Sequence, residues 1–295
     1  MTEPVLREGP PRRPPAARAP SAAEPIAAEP IAAEPIAVTP GAVTPAAAVT
    51  RRPVGGMLHS WDLSTGVDGP GTRFVVFLDG CPLRCLYCHN PDTRHMRDGR
   101  RTSADEIVAE AAKCTGFIHA SGGGATVSGG EPLLQPVLTG ELLHRFKHQL
   151  GLHTALDTSG FLGARATDAL LADTDLVLLD IKSWDRALYR HLTQRELAPT
   201  LDFARRLADL GKETWVRFVL VPGLTDAPGN VEGVAAFAAS LGNVTRVDVL
   251  PFHKLGTEKW RALGLEFTLA DTPVPTRDQT AAARAVFAAY GLHVV

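Results

Sequence analysis

The stretch RFVVFLDGCPLRCLYCHN, residues 73–90, decides how the rest of this chain is interpreted. Its first seven residues form a short apolar run that is typical of a buried β-strand. A loop with three cysteines follows at once, in the spacing Cys81-x3-Cys85-x2-Cys88. Cys114 is the only other cysteine among 295 residues, so the pattern indicates a ligand or redox loop and not a disulfide framework.

Apolar runs and helical patterns alternate through the rest of the chain, which predicts a parallel sheet with right-handed crossovers. Six such repeats fit an open doubly wound sheet or an incomplete barrel, and in both the chemistry lies at the C-terminal ends of the strands. The predicted strands after the first are 125–128, 153–157, 176–180, 213–221 and 246–250, with a short terminal strand at 293–295; the predicted helices are 103–112, 136–150, 165–172, 186–192, 201–210, 231–241 and 276–290.

Residues 1–53 have a different composition, with the repeat AAEPIAAEPIAAEPI. Proline recurs too often for a helix, and large apolar residues are too few for a core. We therefore predict a disordered Ala/Pro-rich extension at 1–53 and one folded domain at 54–295.

Composition narrows the class of protein. Apolar residues make up 45% and charged residues 21% of the chain, and the formal net charge is −2, so no overall basicity suggests nucleic-acid binding. No apolar stretch has the length of a membrane span, and the first residues lack the apolar core of a secretory signal. We predict a cytoplasmic protein that binds neither membrane nor nucleic acid.

The cysteine loop can hold three irons of a four-iron, four-sulfur (4Fe–4S) cluster, which leaves the fourth iron open to a ligand. The alternative is a zinc site with His89 or Cys114 as the fourth ligand, which we disfavour because structural zinc sites usually show two separated ligand pairs. Ligand-type residues also follow the later predicted strands, at Ser128–Pro132, Asp157–Thr158 and Asp180–Lys182.

The segment CPLRCLYCHN matches the pattern C-x3-C-x-aromatic-C, with Tyr87 as the aromatic residue, and so resembles the radical S-adenosylmethionine (SAM) superfamily. In that family SAM binds the open iron, and an electron from the cluster cleaves it to a 5′-deoxyadenosyl radical. The cofactors carry the radical chemistry, so we predict no catalytic side chain, and the protein supplies binding and orientation.

The resemblance becomes closer to the pyruvate formate-lyase-activating enzymes, over nearly all of 58–295. The segments VDGPGTRFVVFLDGCPLRCLYCHNPDT, VSGGEPLLQ, LDTSGF, DLVLLDIK and LPFHKLGTEKW carry it. The resemblance implies a partly open (β/α)6 barrel, which is like an incomplete TIM barrel. It also implies that the chain acts as an oxidoreductase in anaerobic glucose metabolism. The resemblance implies a monomer, a glycyl-radical enzyme as partner (formate acetyltransferase), and a flavodoxin- or ferredoxin-type electron donor.

The resemblance also implies site residues. One set would ligate metals: the 4Fe–4S cluster through three cysteines, and a monovalent cation, Na+ or K+, through oxygen atoms. The other set would bind SAM, including the backbone of the GGE segment. The cluster ligands are Cys81, Cys85 and Cys88; the cation ligands are Asp157, Thr158 and Asp180; the SAM-binding residues are Tyr87, Cys88, His89, Gly129, Gly130, Glu131, Asp180, Ile181, Lys182 and His253.

Several related activases carry a cysteine-rich insert between the first motif and the GGE segment, whereas this interval contains only Cys114. The compact chain therefore favours the formate-lyase type. The alternatives are an activase of another glycyl-radical enzyme, or a compact radical SAM enzyme acting on a small molecule. A non-catalytic iron–sulfur carrier would leave the GGE and His253 segments unexplained.

Overall fold

The structure is a computed structural model that describes residues 53–295. At its centre lies one mixed β-sheet. The predicted extension lies outside the described residues except for Pro53, so it stays a prediction. The strands within the described part are β1 Gly55–Thr65, β2 Thr72–Leu78, β3 Arg100–Ser103, β4 Gly124–Gly129, β5 His153–Thr158, β6 Leu176–Asp180, β7 Glu213–Leu220 and β8 Val244–Pro251.

Six of these strands run parallel, in the order β2-β4-β5-β6-β7-β8, and β1 and β3 extend the β2 edge in antiparallel pairing. Helices follow the parallel strands in turn, which confirms the predicted partial (β/α)6 barrel. The order is linear, so β3 and β8 form the two edges of the sheet. The helices are α1 Ala104–Ala112, α2 Thr115–Ala120, α3 Pro136–His148, α4 Asp168–Ala172, α5 Arg186–Thr193, α6 Ala198–Asp209, α7 Pro228–Leu241, α8 Thr257–Ala262 and α9 Arg277–Ala289.

Local sequence signals fix several helix ends. A capping box begins α1: the Ser103 hydroxyl accepts from the Glu106 N–H, and the Glu106 carboxylate accepts from the Ser103 N–H, both at 3.2 Å. The helix predicted from residue 165 begins three residues later, because the Thr167 hydroxyl caps it by accepting from the Leu170 N–H at 3.1 Å.

Some elements differ from the predictions. The antiparallel strands β1 and β3 are absent from the predictions, because most of their residues are half-buried or exposed and they lack a continuous apolar run. The six-residue helices α2 and α8 are too short for a clear helical period. The predicted terminal strand is a single parallel bridge, Val294 to Val247.

The two faces of the sheet have different chemistry. Alternate residues on the outer face, such as Phe74, Val76 and Val216, pack against Leu142 and Phe146 of α3 and the other helices in one large core. The inner face carries polar residues from neighbouring strands, and these lie towards the strands' C-terminal ends. They include Ser128 of β4, Asp157 of β5, Asp180 of β6 and Arg217 of β7. None of the helices in residues 53–295 is long and apolar enough to cross a lipid bilayer.

Candidate active site

A cavity of about 600 Å³ lies at the C-terminal ends of the parallel strands, between them and the cysteine loop. Most of the residues predicted for the site line this cavity. Two do not: the side chains of Glu131 and Ile181 are fully buried beside it. The predicted residues on its wall are Cys81, Cys85, Tyr87, Cys88, His89, Gly129, Gly130, Asp157, Thr158, Asp180, Lys182 and His253.

The cysteine loop is held by side chains that bind its backbone carbonyl groups. This arrangement uses the carbonyls of all three cysteines and leaves their thiols free. The Arg94 guanidinium also stacks 4.3 Å from the ring centre of Trp260, so two of the donors support each other. The contacts are Arg84 to Cys81 at 2.7 Å, Arg94 to Cys85 at 2.9 Å and the Trp260 indole N–H to Cys88 at 2.9 Å.

The spacing of the sulfur atoms separates a cluster from a single ion. Two thiolates on one zinc ion lie at most about 4.6 Å apart, since each Zn–S bond is about 2.3 Å. Within residues 53–295, the three cysteines do not form a group whose ligand atoms all lie within 4.8 Å of one another. A cluster spreads its thiolates over different irons, so this wider spacing of the three sulfurs suits a 4Fe–4S cluster.

Burial also affects the thiols. Burial and the neighbouring thiols raise the pKa of Cys81 well above its usual range, and burial raises the pKa of Cys85 to about 11. A neutral thiol is therefore favoured until a metal ligates it, because metal binding displaces the proton.

The glycines of the GGE segment are required by the protein backbone. Gly129 has φ +125°, and a Cβ there would lie 2.2 Å from the backbone of Leu78 in β2. A Cβ on Gly130 would lie 2.5 Å from the Gly80 carbonyl oxygen. The Gly130 N–H donates to Leu78 and the Glu131 N–H to Gly80, both at 2.8 Å. The close approach of β4 to the cysteine loop thus demands glycine here.

The Glu131 carboxylate joins the end of β4 to the end of β5. One oxygen accepts from the Leu133 N–H at 3.1 Å and the Thr158 hydroxyl at 2.6 Å. The other accepts from Ser159 twice, from its N–H at 3.0 Å and its hydroxyl at 2.5 Å. Burial raises the pKa of Glu131, although these four hydrogen bonds favour the ionised form. Since Thr158 and Ser159 line the cavity, Glu131 supports its wall from behind.

Four charged side chains share the inner wall. The Arg217 guanidinium bridges the carboxylates of Asp157 and Asp180, and the Lys182 ammonium donates to Asp180 at 3.0 Å. Burial favours neutral Asp180, but Lys182 and Arg217 outweigh it and hold its pKa below the usual range. Burial raises the pKa of Asp157, and the Arg217 charge does not cancel this because Asp180 is also close. Two cations therefore balance two carboxylates at the cavity.

The aromatic rings of Tyr87, His89 and His253 also line the cavity. The rings of His89 and His253 meet edge to face, with centres 4.8 Å apart. Nδ1 of His253 accepts from the Leu255 N–H at 3.3 Å, so the neutral ring carries its proton on Nε2. Within the described residues the buried Tyr87 hydroxyl has no hydrogen-bond partner, and the Lys182 ammonium lies 5.7 Å from the Tyr87 ring centre. An unpartnered buried hydroxyl on a cavity wall suits a polar ligand.

Sequence reasoning missed Arg94, Arg217 and Trp260, which hold the site together. Arg217 had a detectable signal: in the strand ETWVRFVL it alternates with Val216 and Phe218 and so faces the same side as Val219. A charged residue on the inner face of a buried strand indicates a polar site. Arg94 and Trp260 are distant from the cysteines in sequence or lie in irregular segments, and no local pattern marks them.

The fold and this cavity define a class of protein. A family model described as the radical SAM superfamily matches residues 75–230, more than half of the chain, so the chain belongs to that superfamily. Its members bind a 4Fe–4S cluster and SAM, the groups for which the cysteine loop and cavity are suited.

Two curated relatives narrow the class further. The chain is 37% identical over 242 residues to pyruvate formate-lyase 1-activating enzyme of Escherichia coli (strain K12), covering 81% of this chain and 98% of that protein. It is 42% identical over 235 residues to pyruvate formate-lyase-activating enzyme of Staphylococcus aureus (strain USA300), covering 77% and 93%. Within the superfamily, the chain belongs to the family of these activating enzymes.

A solved structure agrees. A domain of pyruvate-formate lyase-activating enzyme from Bacteroides vulgatus superposes with a TM-score of 0.50 and 26% identity. The match covers 59% of this chain and 98% of that one. The similarity supports the barrel fold, whereas the roles of the functional residues are inferred from the geometry of the site.

Proposed function

We propose that this protein activates pyruvate formate-lyase (formate acetyltransferase) by generating a glycyl radical on it. The observation that carries the proposal is the meeting, in one cavity, of three free thiols from one loop and a GGE backbone that requires glycine. The relatives named as activating enzymes support the choice of partner, since the chain matches 93–98% of their length.

Cys81, Cys85 and Cys88 would hold the cluster. When bound, a 4Fe–4S cluster and SAM supply an electron and a 5′-deoxyadenosyl radical, which removes a hydrogen atom from a glycine Cα. Arg84, Arg94 and Trp260 bind the loop carbonyl groups and so hold the loop backbone in place around the three thiols.

The cavity wall offers complementary groups for SAM. A SAM ammonium group only donates hydrogen bonds, and the N–H groups of Gly130 and Glu131 are already used, so we infer that backbone carbonyl oxygens of this segment receive it. Lys182 suits the SAM carboxylate, and Asp180 suits a ribose hydroxyl. Glu131 and Ile181 would act from behind the wall rather than by side-chain contact.

A monovalent cation, Na+ or K+, would be held by Asp157, Thr158 and Asp180. The Thr158 hydroxyl donates its proton to Glu131 and accepts from the Gly160 N–H at 3.0 Å, so one of its lone pairs remains available to a cation. Arg217 already bridges both carboxylates, and a cation would have to share them with it. Replacing K+ by a large organic cation at constant ionic strength should then raise the KM for SAM, and Asp157→Asn should abolish this dependence. Equal KM values in both salts would exclude the cation.

The partner would present a glycine loop at the mouth of the cavity. Exposed apolar side chains border it: Val67 on its wall is 63% exposed, and Leu255, two residues after His253, is 76% exposed. Exposed apolar groups beside a site suit transient docking of a protein. We further propose that the protein acts as a monomer in the cytoplasm, where thiols stay reduced, with a flavodoxin- or ferredoxin-type electron donor.

The test mixes reduced protein, SAM and formate acetyltransferase without oxygen and records electron paramagnetic resonance. A persistent glycyl-radical signal is expected, with roughly one methionine and one 5′-deoxyadenosine released per radical. Cys114→Ala should retain this activity, and Cys85→Ala should lose it. SAM cleavage without a radical on this partner, combined with a radical on another glycyl-radical enzyme, would overturn the partner. Consumption of a small molecule instead would overturn the activase function.

A further inference from the structure

Two histidines and a carboxylate meet on the outer surface, away from the cavity. His144 and His148 lie one helical turn apart on α3, and Asp173 caps the C-terminus of α4. The ring nitrogen Nδ1 of His144 is 2.8 Å from one oxygen of Asp173, and Nε2 of His148 is 2.7 Å from the other. None of the three lines the cavity.

The geometry of this group suits one metal ion. One ligand atom from each residue lies within 4.8 Å of the other two, and no other such set of three or more His, Cys, Asp or Glu residues occurs in residues 53–295. Zinc bonds to histidine nitrogen and carboxylate oxygen are about 2.0–2.2 Å long, so ligand atoms on one ion are up to roughly 4 Å apart. Small side-chain rotations would therefore bring all three atoms onto one ion.

The surrounding charges favour a cation. Lys147, the nearest ammonium on α3, is paired with Asp175 at 2.6 Å, so it does not neutralise Asp173. The site therefore combines a carboxylate with two imidazoles, the ligand types that zinc and its neighbours prefer.

We propose that His144, His148 and Asp173 bind one divalent transition-metal ion, such as Zn2+, which links α3 to α4. The histidine side chains are 58% and 55% exposed, so water would complete the coordination. Three ligands from two helices that flank β5 would stabilise the outer layer of the barrel, because the ion binds only when the two helices are packed together. This inference is independent of the proposed function.

The test is zinc binding to the cluster-loaded protein, by equilibrium dialysis with zinc and iron measured in the same samples. Wild type should bind one zinc per chain without losing iron, and its unfolding temperature should rise with zinc concentration. His144→Ala and His148→Ala should each lose the rise in unfolding temperature. Each should also weaken zinc binding by more than roughly 10–100-fold, which is the loss typical of replacing a residue that only supports a metal ligand.

The matched control is His191→Ala, which removes an exposed histidine from α5. It should bind zinc as wild type does. The proposal is overturned if wild type takes up no zinc, or if the His148→Ala protein binds zinc as tightly as wild type. It is also overturned if zinc replaces iron in the protein and the His144→Ala protein takes up the same amount of zinc.

Discussion

Replacing Glu131 by glutamine tests whether its side chain supports the cavity wall from behind. Each carboxylate oxygen accepts from one backbone N–H and one hydroxyl, and the residue is fully buried. In either orientation, the amide introduced by Glu131→Gln would direct its NH2 group at a backbone N–H, that of Leu133 or of Ser159. The hydroxyls can rotate to accept a hydrogen bond, but a backbone N–H cannot.

The expected loss in the free energy of unfolding comes from one buried N–H that loses its acceptor, which costs about 1–3 kcal/mol. Burial raises the pKa of Glu131, so removing the charge returns part of its desolvation cost, and we expect a net loss of about 1–2 kcal/mol. At about 2–4 °C per kcal/mol for a domain of this size, the unfolding temperature should fall by roughly 2–8 °C.

The assay is thermal unfolding of matched preparations without oxygen, with the KM for SAM measured on the same samples. Glu110→Gln is the control: its carboxylate pairs with Lys113 at 2.7 Å on the surface of α1, so its loss should change stability by less than about 0.5 kcal/mol. Because Thr158 and Ser159 line the cavity, Glu131→Gln should also raise the KM for SAM. If Glu131→Gln unfolded within about 1 °C of wild type, with an unchanged KM, Glu131 would not support the wall.

Three further predictions address the loop, the GGE segment and the extension. Alanine at Cys85 should abolish iron retention after anaerobic reconstitution, and alanine at Cys114 should not; normal iron in the Cys85 variant would exclude the cluster assignment. Gly129→Ala should lower stability by at least about 1–3 kcal/mol, because of its positive φ and the contact with Leu78. Gly116→Ala is the control: it lies in a helix with open space around it, so the change should raise stability by about 0.5–1 kcal/mol. Equal effects of the two substitutions in urea unfolding would show that the backbone of Gly129 does not require glycine. Deleting residues 1–50, which from composition supply few core residues, should leave the unfolding temperature and the activation rate unchanged, and a large drop in either would show that the segment contributes to the domain.

The sequence alone determined which segments form the parallel strands and helices, in their order along the chain. The strand Leu176–Asp180 was predicted to the residue, because four of its five side chains are buried apolar groups in a short continuous run. The alternation of such runs with helices predicted a parallel sheet, either open or an incomplete barrel, and the family resemblance implied the partial barrel. The cysteine spacing indicated a cluster loop. Both signals are local, since they depend on residues only a few positions apart. The antiparallel strands β1 and β3 escaped prediction because partial exposure leaves them no continuous apolar run.

Tertiary structure alone decided which distant groups meet. Glu131 reaches Ser159, 28 residues away, and Arg217 reaches Asp157, 60 residues away, so the sequence could not reveal that one supports the wall and the other balances its charge. The placement of the three cysteines also depends on distant residues, because Arg94 and Trp260 bind the backbone carbonyl groups of Cys85 and Cys88. Strand register and crossover packing bring these groups together, and neither is encoded in a pattern of a few residues.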